Sequence, residues 1–489
     1  MMATLPWLSM MLITLLAGGG LIWLWPHPAS ARRIALSSIM LAGMFALVAL
    51  SAFIPSQSGF QLVEKYSWIP SLGIHYQVGV DGISVLFLPA TLLLFAGVIL
   101  ASWNSVHTLP RLYFSLLILL AAATLGVFMA LDTILFFLFW ELTLIPLYFL
   151  VSLWGIGPNR RHAATKYTLV MLTGGVPLLF AVLVLAFAAP GDLPVFDLPT
   201  LLATPLPADS QMLVFLLLLL GFGVKVPVVP VHTWLPLMAM EGPAAVVALL
   251  TGLKLGAYGL IRLAVPLAPS AAEELQWLLM ALGAVSILFG ATAALAQTNL
   301  RRMLAYASLS HVGLVLVGIA AFNLQGLQGA VMQLLNFVVA SGGLFLLLSH
   351  LHHRTGSTDI AHLGGAAQTM PLLASLFLFF GFAGMGIPGT SGFPAEMLIL
   401  LSAFESHAGA GLAALGGVVL GAACFLHLYR RAFFGPVLQA AVMQAQDLRP
   451  RELLFALVLA VLVLVFGFWP AVLLDFIKPA AELWIARLT

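Results

Sequence analysis

Gly221–Arg262 reads GFGVKVPVVPVHTWLPLMAMEGPAAVVALLTGLKLGAYGLIR. Two lysines, Lys225 and Lys254, stand in this stretch among almost wholly apolar neighbours. Each falls where a membrane-crossing helix is expected. A charge at the centre of a bilayer costs roughly 2.5–3.5 kcal/mol on insertion scales, so a pair of them calls for a purpose. Gly221, Gly223, Pro227 and Pro230 surround Lys225 and do not continue a regular helix. The spacing predicts a helix broken near 221–230 that carries a charge at membrane depth, the arrangement of an ion path.

The rest of the chain belongs to the same setting. Of 489 residues, 62% are hydrophobic and 7% charged, against about 25% charged in soluble domains, and the mean hydropathy is +1.12. The net charge of +2 says less than where the charges lie. Cys424 is the one cysteine, which excludes an internal disulfide and a cysteine-ligated cluster held by this chain alone. The N-terminus has no basic n-region and reads as a first span. With about 20 apolar residues per crossing, fourteen spans are expected, near 5–25, 33–54, 83–103, 111–129, 132–153, 164–188, 211–231, 243–263, 274–297, 300–321, 326–350, 370–404, 408–430 and 453–473. The twelfth is over-long and interrupted by Gly384, Gly386, Pro388, Gly389, Gly392 and Pro394, so it is read as a second broken helix.

The positive-inside rule tests that reading. Fourteen spans put 13 of the 19 basic residues on one side and 4 on the other, Lys225 and Lys254 being the remainder. Both termini are therefore expected away from the cytoplasm. The loops are short apart from 55–82, 189–210 and 431–452, and no soluble domain is long enough for a nucleotide or a redox cofactor. The tail 474–489 mixes apolar and charged residues and reads as interfacial. The fold class expected is an all-α polytopic membrane protein of about fourteen helices. It divides into spans one to three (1–110), two five-helix repeats inverted relative to each other (111–263 and 274–430), and a C-terminal loop, last span and tail (431–489). Within each repeat the fourth span is the one broken by Gly and Pro, a pointer to inverted-repeat transport machinery.

Four charges lie inside spans: Glu141, Lys225, Lys254 and Glu396, with His311 a fifth titratable group. Burial lowers a lysine pKa and raises a glutamate pKa, and a nearby opposite charge does the reverse. A Glu–Lys pair of adjustable separation therefore suits proton transfer, and a histidine with an ordinary pKa near 6.5 suits a relay. The alternative for each is a helix-packing ion pair or interhelical hydrogen bond, but the Gly- and Pro-rich surroundings of Lys225, Lys254 and Glu396 argue against a passive scaffold. Asp132 opens a span and reads as an N-cap. GFG at 221–223 lacks the spacing of a dinucleotide fingerprint. His350, His352, His353 and His362 cluster toward a loop, with Asp359 the one acid at ligand spacing, and no metal is expected there. A haem held by two histidines needs a pair at matched depth, and His311 alone is so placed.

FFLFWELTLIPLYFL, AATKYTLV, VKVPVVPVHTWLP, GLKLGAYGLIR, NLRRMLAYASLSHVG and GTSGFPAEMLIL resemble the antiporter-like proton-pumping membrane subunits of complex I-type NAD(P)H–quinone oxidoreductases, over roughly residues 75–435. The likeness is to the M type of subunit, also numbered 4 and lettered D in photosynthetic complexes. The same family includes subunits of Mrp antiporters, membrane-bound hydrogenases and carbon-uptake complexes. The resemblance implies that Glu141 and Lys225 form the pair of a first half-channel, Lys254 the central link, and Glu396 the acid of a second. An acid at Glu396, where sister subunits carry lysine, favours type M. It implies a translocase subunit with no cofactor of its own, partnered by other membrane subunits, protons or sodium and the lipid bilayer, with no nucleic acid. It places the chain in a bacterial inner membrane or a thylakoid. Three positions, in two runs, depart from the family pattern: Leu237 and Ala239 stand for the acid and second histidine of HTWLPDAH, and Phe337 stands where many members have histidine. Protons then pass by water, His311 or another route. The competing uses of the same fold are a cation/proton antiporter subunit and an ion-coupled carbon-uptake or hydrogenase subunit.

Overall fold

The computed structural model describes residues 5–189 and 193–488. Its helices follow the apolar runs in order: α1 (Trp7–Leu24), α2 (Ala31–Ala52), α3 (Phe87–Ala101), α4 (Pro110–Met129), α5 (Thr133–Trp154), α6 (Arg160–Ala188) and α7 (Ala208–Lys225, resuming as Trp234–Glu241). Then come α8 (Ala244–Leu267), α9 (Gln276–Leu295), α10 (Leu300–Ala320), α11 (Leu324–Thr355), α12 (Pro371–Gly384, resuming as Gly392–Ser406), α13 (Ala408–Phe433), α14 (Pro450–Phe468) and α15 (Ala471–Ile485). Among the described residues, 12 helices are long and apolar enough to cross a membrane, and α3 and the first half of α12 are shorter apolar helices beside them. The core belongs to α4, α8, α10 and α11, while α1, α2 and α14 leave much of their apolar surface bare. Exposed leucines on such helices cost nothing in lipid, where no water is displaced.

Residues 55–82, expected as a loop, hold instead an antiparallel hairpin, β1 (Gln61–Ile69) and β2 (Ile74–Val80). The chain reverses at Gly73, whose φ of 68° favours glycine. Among the described residues the all-α expectation holds for the helical spans and misses this ribbon. The tail forms a helix. α15 buries Ile477, Ala481 and Trp484 against the bundle, so one of its faces is protein-covered.

Connecting segments gather on two faces. On one, Arg111 donates to the Trp25 carbonyl at 2.6 Å, Gly157 N–H to the Glu241 carbonyl at 3.2 Å, Arg301 to the Met240 carbonyl at 2.6 Å, and Leu300 N–H to the Thr358 carbonyl at 3.0 Å. On the other, Leu131 N–H donates to the Gln77 carbonyl at 2.9 Å, Lys65 pairs with Asp197 at 3.1 Å, and Asn323 reaches Glu405 at 3.4 Å. The first face carries the arginines at the ends of α2, α6, α10, α13 and α14 and is called the basic face below. Asp132 caps α5 as its sequence position predicts, accepting from the Ile134 and Leu135 N–H groups at 3.0 Å. His350 is buried within α11, and His362 alone of the four clustered histidines lies beyond that helix.

Candidate functional site

Four interruptions shape the interior. α7 stops at Lys225, and Val226–Thr233 run as turns that contain a cis Val229–Pro230 bond. α12 stops at Gly384 and resumes at Gly392, with Gly386 at φ 65° and Gly389 at φ 87° in between. Both breaks fall where Gly and Pro predicted them. Two more were not foreseen: α5 loosens at Thr143, and α8 opens at Leu253 and Lys254. The breaks at Lys225 and Lys254 abut. A Cβ on Gly256 would lie 2.5 Å from Val226 N and 2.7 Å from the Phe222 carbonyl oxygen, so only glycine lets the two backbones meet. Single-turn π-helical bulges follow at Leu260–Ala264 in α8 and Phe337–Ser341 in α11, a device frequent near functional sites.

Lys225 ends its half-helix with the ammonium turned toward α5. Nζ donates to Thr143 Oγ1 at 2.8 Å and to the Trp140 carbonyl at 3.2 Å, and lies 3.9 Å from the Trp140 ring centroid. Glu141, one residue from Trp140, does not complete an ion pair with it among the described residues; the two carboxylate–ammonium charges interact at longer range. Glu141 Oε1, Tyr167 Oη and Thr168 Oγ1 are all buried without a protein hydrogen-bond partner among the described residues. Buried polar atoms of this kind are usually served by water. Glu141 also borders a lateral groove of about 560 Å3 in which Leu138, Ile145, Phe149 and Leu172 are exposed. A cavity of about 40 Å3 runs from Thr143, Tyr167 and Lys225 to Leu253 and Leu255, the neighbours of Lys254.

Lys254 is 5% exposed, far from bulk water. Its Nζ donates to Ser308 Oγ at 2.7 Å and lies 5.2 Å from the Phe337 ring centroid. Ser308 and His311 share a face of α10 by their three-residue spacing, and the His311 ring meets the same Phe337 edge-on at 6.3 Å. Phe337 thus lies close to both ammonium and imidazole. A cavity of about 50 Å3 joins Ser308, His311, Gln333, Asn336 and Glu396 beside the second break at Gly384. His311 Nε2 is 3.9 Å from Glu396 Oε1, too long for a hydrogen bond, and Glu396 Oε1 and Gln333 Nε2 have no partner among the described residues. Asn336 ties the break to α11: its amide donates to the Ala383 carbonyl at 3.4 Å and accepts from Ser391 Oγ at 2.6 Å.

All five sequence-predicted groups therefore lie inside the bundle, in two clusters. Lys254, His311 and Glu396 share one connected set of polar groups, while Glu141 and Lys225 form another across the α5–α7 contact. Thr143, Ser308, Gln333 and Asn336 were missed. A hydroxyl or amide in an apolar run is ordinary, and only the spacing of Ser308 before His311 hinted at a shared face. Arg262, near the end of the eighth span and one of the four basic residues counted on the far side, is buried, gripping Asp81 through Nη1 at 2.6 Å and Nη2 at 3.1 Å. Burial alone would raise the Asp81 carboxyl, but the Arg262 guanidinium and the Ser84 N–H hold it below its ordinary range.

Three comparisons bear on this geometry. The family described as "NADH:quinone oxidoreductase/Mrp antiporter, TM" matches residues 130–421. NADH-quinone oxidoreductase subunit M of Rhodobacter capsulatus is 37% identical over 462 residues, covering 92% of this chain and 90% of that one. NAD(P)H-quinone oxidoreductase chain 4 1 of Synechococcus sp. (strain JA-3-3Ab) is 39% identical over 478 residues, 95% and 90% of the two chains. A chain of respiratory complex I from Thermus thermophilus with bound NADH superposes with a TM-score of 0.89 at 32% identity, covering 99% of this chain and 100% of that one.

Proposed function

The chain belongs to the NADH:quinone oxidoreductase/Mrp antiporter membrane-subunit family, and from that premise we propose that it is a proton-translocating subunit of a complex I-like quinone oxidoreductase. It holds no redox centre of its own in this reading. Electron transfer in partner subunits drives it, and protons move along Glu141, Lys225, Lys254, His311 and Glu396. The division into 111–263 and 274–430 gives each half one helix broken by Gly and Pro and one acid of the proposed path, Glu141 or Glu396.

The observation that carries the reading is the cavity beside the second break. It brings Glu396, His311 and the Ser308 partner of Lys254 to one cavity deep in an apolar bundle. A passive scaffold has no need to leave Glu396 Oε1 unpaired where a histidine 3.9 Å away is ready to exchange a proton through one water. In the first half, Lys225 rests on Thr143 and Trp140, and its separation from Glu141 governs whether it keeps its proton. The groove at Glu141 is the face that a neighbouring membrane subunit covers, in keeping with relatives that work inside assemblies. The basic face is the cytoplasmic one by the positive-inside rule, which puts the start of α1 and helix α15 on the far side.

The test is Lys225→Ala in the assembled complex reconstituted into vesicles. Quinone reduction coupled to proton uptake is expected to lose its proton component while subunit composition is unchanged. Full pumping by an assembled Lys225→Ala complex sinks the proposal.

A further inference from the structure

The basic face holds a cleft that the proton path does not use. It encloses about 360 Å3 between the ends of α3, α11 and α14, with Asn104, His350, Arg354, Arg449, Arg451 and Glu452 on its walls. Its charges do not cancel. Glu452 is its one carboxylate among the described residues, and that carboxylate is already engaged. Arg354 Nη2 donates to Oε2 at 2.5 Å, the Arg449 N–H donates to the same oxygen at 3.0 Å, and His350 Nδ1 is 3.7 Å from Oε1. Asp447 is taken up by the first turn of α12, accepting from the Leu372 and Leu373 N–H groups at 2.7 and 3.1 Å.

Three guanidiniums remain. Arg449 Nη1 and Arg451 Nη2 both donate to the Asn104 side-chain oxygen, at 2.6 and 2.8 Å, with the amide turned to present it. Arg32 Nη1 donates to the Trp103 carbonyl at 2.7 Å. Arg32 and Arg451 both lie over the Trp103 ring, 5.1 and 5.7 Å from its centroid. Every acceptor here is neutral, and the charges of Arg449 and Arg32 both bear on Arg451. The Nε atoms of Arg32 and Arg451 are buried with no partner among the described residues. Glu452 offsets part of this charge but is shared with Arg354 and His350, so the arginines outnumber their counter-charge, and an anion with several acceptor oxygens relieves the excess.

Location selects the anion. Arg32 opens α2, Trp103 follows α3, and Arg449 and Arg451 open α14, so the cluster rings the membrane edge of the basic face. α3 packs between α2 and α14. Below the arginines those flanking helices expose Met40, Met44 and Leu47 on one side and Leu454, Leu457 and Val461 on the other. A free anion has no use for apolar walls, whereas a lipid uses both parts. We propose that Arg32, Arg449, Arg451 and Trp103 bind the phosphate headgroup of an anionic phospholipid whose acyl chains lie along α3 between α2 and α14.

The experiment is photo-crosslinking of the purified, assembled complex with phosphatidylglycerol carrying a photoactivatable acyl chain, followed by mapping of labelled peptides. Label is expected in 87–109 and 449–464, at much lower yield with the matching phosphatidylcholine probe. The Arg449→Gln/Arg451→Gln variant is expected to lose about thirtyfold in yield at these peptides, and the Arg449→Lys/Arg451→Lys variant to keep most of it. Equal labelling by both probes, undiminished labelling of the glutamine variant, or complete displacement by inorganic phosphate each overturns the lipid site. If the glutamine pair does not assemble, Arg32→Gln in an assembled complex serves instead, with a severalfold loss expected and no loss decisive against the site.

Discussion

At the scale of single residues, the buried charges matter through what they touch. Lys254 has one hydroxyl acceptor, Ser308, and one aromatic face, Phe337. A hydrogen bond to a charged group contributes about 1.5–3 kcal/mol, so Ser308→Ala is expected to slow proton translocation by about tenfold in vesicles, with Ser308→Thr near wild type and subunit content unchanged in both. Glu396→Gln keeps the shape of the acid and removes its proton exchange; pumping is expected to fall while thermal stability of the complex stays the same or rises, as measured by dye uptake and a melting curve. The titratable members of the path were readable from the sequence because charge is rare in apolar runs. Their partners were not, since a serine or asparagine costs too little in a helix to stand out. Phe337 shows the limit from the other side: nothing in its local sequence says that it lies beside both Lys254 and His311.

At the scale of elements, the sequence disclosed the two Gly- and Pro-rich breaks and left two others unread: α5 loosens where Pro146 lacks the N–H that the Leu142 carbonyl would receive, and α8 opens through a tertiary contact. Lys254 leaves its helix because Gly256 lets α8 settle onto the end of α7, a contact between residues thirty positions apart. Gly256→Ala forces a methyl against Val226 N and is expected to cost about 1–3 kcal/mol, seen as a lower melting temperature and impaired pumping together. The Asp81–Arg262 clasp holds the α8 bulge to the segment leading into α3, while Trp484 Nε1 of α15 donates to the Ile261 carbonyl at 2.8 Å. Arg262→Met strands a buried carboxylate and is expected to destabilise the subunit by about 3–5 kcal/mol, with Asp81→Asn added to it recovering part of the loss. Because the folded Asp81 carboxyl titrates below its unfolded value, its contribution is fully present above about pH 4 and lost as pH falls through the folded value. Melting curves of the wild-type complex should lose this component only on the acid side, and the double variant should lack it.

At the scale of the whole molecule, hydropathy and the distribution of arginines already outlined the bundle, because lipid imposes length and water imposes polarity on each crossing. The hairpin escaped that logic, because backbone pairing and not apolar length decides a ribbon. Cys424 is buried, so introduced thiols can be read against a quiet background. Gln439→Cys on the basic face is expected to react with an impermeant maleimide only from the cytoplasmic side, and Ser56→Cys only from the opposite side; reversed labelling would invert the topology. One contact has a bearing on biogenesis. The opening N–H groups of α1, at Leu8 and Ser9, are received by the carboxylate of Glu64 in the hairpin, at 2.8 and 3.1 Å. α1 therefore waits for a cap made more than fifty residues later, and the end it opens with is finished only after the second helix and the ribbon have been made.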